Sequence, residues 1–382
     1  MIVAFGAATP LGVYIHWPYC ARICPYCDFA VVRDRGRREE QAALVEAIAA
    51  DLTAQAALTG PRRLTSIFFG GGTPSLMEPA AVARLIALVR DLWTPDPDLE
   101  ITLEANPTDA EAGRFAALAD AGVNRLSLGV QALDDASLAF LGRNHDAAEA
   151  VRAAEIAARS FDRLSLDLIY ARPGQTAQAW ADELRRAVGL GAEHLSPYQL
   201  TIEPGTPFDR AVRRRRFTPV DEDLGAELYE ITQAVLEDLG FHAYEVSNHA
   251  RGPGARSRHN ELYWRGREYV GVGPGAHGRL VLDGVRTATE APRTIAGYLE
   301  RVGAYGVGWS VSERLDPTSA ATERLLLGLR LDEGVPLVDL AALPLRVEPM
   351  ESAGMVQVAN GRLRATRAGR PVLDRVILEL LG

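Results

Sequence analysis

Short runs of apolar and β-branched residues alternate, through the first half of the chain, with longer stretches rich in alanine and leucine. The runs at 13–16, 66–69, 100–104, 125–128, 163–169 and 194–199 have the length and make-up of strands. Between the first two, residues 39–58 bring Leu44, Ile48 and Leu52 onto one side of a helix. Further helical stretches cover 80–92, 110–121, 147–160 and 177–190, with Gly122, Gly189 and Gly191 where helices commonly stop. Such alternation predicts an α/β fold, a parallel sheet with crossover helices. Six units are fewer than the eight of a closed barrel, so the pattern predicts an incomplete (βα)6 barrel over residues 1–240.

The pattern then changes. Residues 241–311 read as a glycine-rich connecting region, with a loop at 252–278 that carries interspersed aromatics. A smaller winged-helix-like C-terminal domain is expected over 312–382. It comprises a helix at 319–328, a strand at 362–365 and a final helix whose Val372, Leu373, Val376, Ile377, Leu380 and Leu381 form one apolar stripe. Polar and glycine residues collect where the barrel strands stop. His16 precedes the cysteines, Phe69 precedes Gly70-Gly71-Gly72-Thr73-Pro74, and Glu104 precedes Asn106-Pro107. Leu128 precedes Gly129-Val130-Gln131, and Asp167 lies ahead of Arg172-Pro173-Gly174. Parallel sheets bind their ligands at the carboxyl ends of strands.

Composition narrows the function. The net charge of −9 gives no electrostatic reason to expect nucleic acid as a partner. All 41 basic residues are arginine, which excludes a Schiff-base or P-loop lysine. No stretch reads as the ~20 apolar residues of a membrane span, and no positive charge precedes Arg22, so no secretory signal is expected. Three cysteines within eight residues cannot build a disulfide framework. The expected location is the cytoplasm.

Those cysteines, Cys20, Cys24 and Cys27, carry the strongest chemistry. Thiolates are soft donors suited to iron–sulfur clusters or zinc. Three protein ligands on a [4Fe–4S] cube leave one iron open, where clusters used for electron transfer alone commonly have four. The amino and carboxylate groups of S-adenosylmethionine can chelate that iron, and reduction then releases a 5′-deoxyadenosyl radical. The competing reading is zinc, with His16 or Asp28 as fourth ligand. The 70–74 turn lets backbone approach a ligand, although a tight turn alone explains it equally well. Glu104 could accept ribose hydroxyls or serve as an ordinary surface carboxylate.

Together these motifs resemble the oxygen-independent coproporphyrinogen III oxidase group of radical-SAM proteins and, within it, the HemW-type haem chaperones. The likeness runs nearly end to end, through Tyr14-Ile15-His16-Trp17-Pro18-Tyr19-Cys20, the 69–74 turn, Glu104-Ala105-Asn106-Pro107, Ser127-Leu128-Gly129-Val130-Gln131 and Asp167-Leu168-Ile169-Tyr170. The resemblance implies that Cys20, Cys24 and Cys27 ligate the cluster. It implies that Tyr14, Tyr26, Gly71, Gly72, Thr73, Glu104, Gln131, Arg143 and Asp167 surround S-adenosylmethionine. Dehydrogenases of the group carry a further cysteine two residues after the third ligand; here Asp28-Phe29 follows Cys27. That difference, with His259-Asn260-Glu261-Leu262-Tyr263-Trp264, implies the chaperone branch, where the histidine is implicated in holding haem. By chemistry alone His259 is a lone loop histidine, and Tyr263 and Trp264 could face a porphyrin or fill the core. The run Arg213-Arg214-Arg215-Arg216 could draw propionates but reads better as exposed loop. The function so implied is binding of haem and its delivery to haem-accepting proteins, respiratory-chain proteins among them. Transient membrane association is compatible with it. The alternative is radical decarboxylation of coproporphyrinogen III.

Overall fold

In the computed structural model, which describes residues 9–382, six strands run parallel and lie side by side in sequence order. They are β1 (Pro10–Trp17), β2 (Arg63–Gly71), β3 (Thr94–Ala105), β4 (Arg125–Gln131), β5 (Arg163–Tyr170) and β6 (His194–Gln199). The crossovers include helices α1 (Arg38–Thr59), α2 (Pro79–Leu92), α3 (Ala147–Ser160) and α4 (Ala177–Val188). The expected helix at 110–121 is two short ones, Asp109–Ala112 and Phe115–Asp120. Strand side chains alternate between two environments. Val13, Ile67, Leu103, Leu126 and Leu166 face the helices and have no exposed surface. The intervening positions turn polar groups into the concave side: Ser66, Glu100 and Glu104, Arg125 and Ser127, Ser165 and Asp167, His194 and Ser196. This interior is a polar lining rather than the apolar plug of a closed barrel.

The segment 241–311, expected as a glycine-rich connection, extends both edges of the same sheet. Two-residue strands at His249–Ala250 and His242–Ala243 follow β6. On the other side β7 (Glu268–Val272) lies parallel to β1, and β8 (His277–Leu282), β9 (Val285–Glu290) and β10 (Val311–Arg314) continue antiparallel, making twelve strands. The glycines that suggested loop are packing requirements. A Cβ on Gly271 would stand 1.9 Å from the His277 carbonyl oxygen, and one on Gly273 2.3 Å from that of His16.

Helix α5 (Arg258–Trp264), the histidine motif itself, packs across the amino-terminal ends of the strands. Glu100, 1% exposed, holds it there. Its carboxylate accepts the backbone N–H groups of Arg258 and His259, each at 3.1 Å, and pairs with Arg163 at 2.7 Å and Arg125 at 4.0 Å. Burial pushes Glu100 toward its neutral form, but the two guanidiniums and the helix amides outweigh it and lower the pKa.

The C-terminal domain packs helix α6 (Pro317–Gly328) and helix α7 (Leu373–Leu381) on a three-stranded sheet ordered Val335–Pro336, Arg362–Ala365, Val356–Ala359, the winged arrangement expected. Its own core includes Leu325, Leu329, Leu363, Val376 and Leu380. It meets the barrel at the histidine motif, where the Arg330 guanidinium lies 4.4 Å over the Trp264 ring and Arg324 donates to the Trp264 carbonyl at 3.1 Å. Among the described residues one helix, α1, is long and apolar enough to cross a membrane. It is instead a crossover helix: its Leu44, Ile48 and Leu52 lie in the core against the sheet.

Replacing Glu100 by Ala should lower unfolding free energy by about 3–5 kcal/mol, because Arg125 is left buried without its counter-charge. Because the folded-state pKa of Glu100 is depressed, this contribution is present above its unfolded value and fades as pH falls through the folded one. Denaturant melts of both proteins at pH 7 and near pH 3 should show a difference that shrinks at acid pH.

Candidate functional site

The cysteine loop leaves the carboxyl end of β1 and is tied at its base. Residues Tyr19–Cys20 pair with Val32–Arg33, closing 21–31 into a loop. The glycine turn after β2 runs against it: Gly72 N–H donates to the Trp17 carbonyl and Thr73 N–H to that of Tyr19, both at 2.8 Å. A Cβ on Gly72 would meet the Tyr19 oxygen at 2.6 Å, and one on Gly71, whose φ is +106°, would strike the His16 ring at 2.5 Å. These glycines therefore admit the chain that carries the cysteines. His16 is a second brace, with Nδ1 3.0 Å from the Tyr14 hydroxyl and Nε2 2.9 Å from the Ala30 carbonyl.

A cavity of about 490 Å3 opens over the strand ends. Cys20, Cys24, Cys27, Tyr26, Gly71, Gly72, Thr73, Glu104, Gln131, Arg143 and Asp167 all line it, a convergence of residues 147 positions apart at the extremes. Two expected residues do not. Tyr14 is half-buried below, stacked on Phe68 and bonded to His16, and so supports the loop from inside. His259 lies at the opposite end of the strands, 1% exposed, with Nδ1 2.8 Å from Ser66 Oγ and its ring 4.8 Å from that of Phe68. Burial pushes its pKa down to about 3, so the ring is neutral. Arg213 through Arg216 are exposed, as expected.

Arg143 crosses the cavity wall. It donates to Cys24 Sγ at 3.3 Å, Tyr26 Oη at 3.4 Å and the Gly129 carbonyl at 3.0 Å, and also to Asn106 Oδ1. Asn106 in turn donates to Thr73 Oγ1 at 3.0 Å. Asn106 stands in a quoted motif, but a strand-end amide carries no pattern of its own; His16, a candidate zinc ligand by sequence, braces the loop instead. Tyr198 and Gln199 at the end of β6, and Thr201 and Glu203 just beyond it, also line the cavity. Only their place at a strand end could have marked them.

The donor chemistry suits a cluster. Burial pushes the Cys20 thiol up to about 12 and raises Cys27 as well, so thiolates there need a strongly cationic partner. On the far wall Glu104 accepts the Gly71 N–H at 3.1 Å and Asp167 the Ser127 hydroxyl at 3.1 Å. Burial first, then the facing Asp167, pushes Glu104 up to about 8. Two half-buried carboxyls on one cavity wall favour a ligand that brings positive charge or donor groups to them.

Thiols on a braced loop, glycine turn and carboxyls at the strand ends define a radical-SAM protein. Comparison with known proteins agrees: a sequence profile of the Radical SAM superfamily matches residues 14–187, and one of the HemN C-terminal domain matches 315–372. The fold is that of coproporphyrinogen III oxidase (HemN) from Escherichia coli, with a TM-score of 0.80 at 20% identity over 99% of this chain and 91% of that one. Radical S-adenosyl methionine domain-containing protein 1, mitochondrial, of Mus musculus is 39% identical over 98% of this chain and 88% of its own length. The heme chaperones HemW of Mycobacterium tuberculosis and Bacillus subtilis are 37% and 32% identical, over 98% and 97% of this chain and 95% and 99% of theirs. The chain belongs to the HemW family. Membership of the superfamily brings S-adenosylmethionine and a [4Fe–4S] cluster as its cofactors.

Since the folded-state pKa of Glu104 is raised, its stabilising neutral form is lost as pH climbs from the ordinary carboxyl range to about 8. Thermal melts of ligand-free Glu104→Gln should match the parent near pH 4. They should show a growing advantage for the variant up to about pH 8 and a constant one beyond.

Proposed function

We propose that this protein is a haem chaperone that holds a [4Fe–4S] cluster on Cys20, Cys24 and Cys27 and binds S-adenosylmethionine beside it. In this reading Gly71, Gly72 and Thr73 present backbone to the methionine portion, while Glu104, Gln131, Arg143 and Asp167 complete the pocket. Cys20, Cys24 and Cys27 would hold the cluster, and cluster and cofactor together would supply one-electron chemistry at the strand ends. The residues of this chain orient the cofactor and exclude water from it. Arg143 holds positive charge against the Cys24 sulfur.

The observation that carries the chaperone reading over the dehydrogenase one is Phe29. It stands where the dehydrogenases of the group carry a further cysteine, at the mouth of the cavity and 61% exposed. The nearly full-length relatives named heme chaperone support the same choice. The recipients we envisage are haem proteins, those of the respiratory chain included, and the place of work is the cytoplasm, where free thiols persist. His259 enters as a haem ligand through its motif alone. Its Nε2 has no partner and is sealed in the barrel floor, so ligation there requires α5 to swing outward.

Anaerobic reconstitution should load about four iron and four sulfide per chain, and Cys24→Ala should lose the cluster absorbance. Titration with haem should then give a shifted Soret band in the parent protein. Conversion of coproporphyrinogen III to protoporphyrinogen IX would overturn the chaperone reading, and an unchanged Soret band in His259→Ala would remove that residue from the haem site.

A further inference from the structure

A second cavity, of about 820 Å3, lies at the seam between the barrel and the C-terminal domain, away from the cysteines. Five arginines line it: Arg265, Arg267 and Arg286 from the barrel side, Arg324 and Arg362 from the C-terminal domain. Glu333 and Asp339 are the acids among the lining residues. Glu333 pairs with Arg265 at 3.0 Å and with Arg362 at 3.3 Å, Asp339 with Arg324 at 3.1 Å, and Arg265 also meets Glu261, outside the lining, at 3.1 Å. Arg286 pairs with Glu323 at 2.8 Å, outside the cavity lining. Arg267 is exposed and makes no ion pair among the described residues. Burial, with repulsion from Arg267 and Arg362, lowers the pKa of Arg324 despite Asp339. The groove is thus net positive in a chain whose overall charge is −9.

The other wall is apolar. Ala320 and Ala321 of α6, then Pro336, Val338 and Ala342, form it, and Val338 is 79% exposed with nothing packed over it. The volume falls within the range of small-molecule sites. A guanidinium-rich rim beside an apolar wall is complementary to a flat apolar ligand that carries two carboxylates on one edge. We infer that this seam is a haem-docking groove, with the propionates held by Arg267, Arg324 and Arg362 and the porphyrin face against Val338 and Ala342. This rests on the chaperone reading above and gives the cargo a docking place separate from the buried His259. No histidine, cysteine, methionine or tyrosine lines the groove, so its walls supply no axial ligand to iron. Cargo held by its edge and face alone is released more readily than cargo held through the metal.

The test is haem titration of the full chain and of two variants at exposed positions, Arg267→Glu and Val338→Asp, which leave the buried ion pairs intact. Each should weaken haem binding about tenfold or more, while the cluster spectrum and S-adenosylmethionine binding stay as in the parent. A haem dimethyl ester, with its propionates blocked, should bind the parent about as weakly as haem binds Arg267→Glu. Added salt should weaken the parent more than that variant. If the parent binds no haem, the chaperone reading itself fails. If it binds haem and its ester equally, and neither variant differs, the chaperone reading stands and the groove is overturned. Normal haem binding with impaired transfer in Arg267→Glu also overturns it, and assigns the groove to an acidic partner protein.

Discussion

An open, curled sheet with a polar concave side is stable only if its buried charges are answered, and Glu100 answers them. Its carboxylate meets Arg125 from β4 and Arg163 from β5, and it also receives the first amides of α5. Three neighbouring strands and the floor of the barrel are therefore joined through one side chain. A buried ion pair contributes little net stability compared with an apolar core, but losing one partner is severe. Here that asymmetry fixes strand register and the position of the histidine motif together.

The opposite end of the strands uses backbone instead of charge. The cysteine loop is built on hydrogen bonds from Gly72 and Thr73 and on a histidine ring packed where Gly71 has no side chain. Arg143 then reaches across from the helical connection after β4 to Cys24. The thiols are displayed on a loop, yet the base of that loop is anchored on strands and strand ends. A site that must hold an oxygen-sensitive cluster and a charged cofactor in fixed relation gains from such rigidity.

How much of this is legible in sequence depends on the kind of signal. The six parallel strands are legible because strand-length and helix-length apolar patterns alternate from the first strand to the sixth. The strand-end residues of the cavity are legible because parallel sheets put function there. Strands β7 to β9 are not, because Gly271, Gly273 and Gly278 look like loop when their reason is close backbone approach across the sheet. His259 shows a harder limit. Its motif marks the residue, but only the fold reveals that Ser66 and Glu100, both more than 150 positions away, enclose it. Glu100 itself reads as one more strand carboxylate, since its partners are distant in the chain.

Trp264 ends the histidine motif and also receives Arg330 on its ring and Arg324 on its carbonyl. The helix that begins on Glu100 in the barrel thus finishes on the C-terminal domain. Such a helix acts as a short rigid lever with one end in each body. A rotation of the C-terminal domain large enough to widen the seam pulls on Trp264 and, about one and a half turns away, on His259 and the carboxylate beneath it. The two halves of the molecule are therefore mechanically a single linkage, and the seam cannot be enlarged without disturbing the barrel floor.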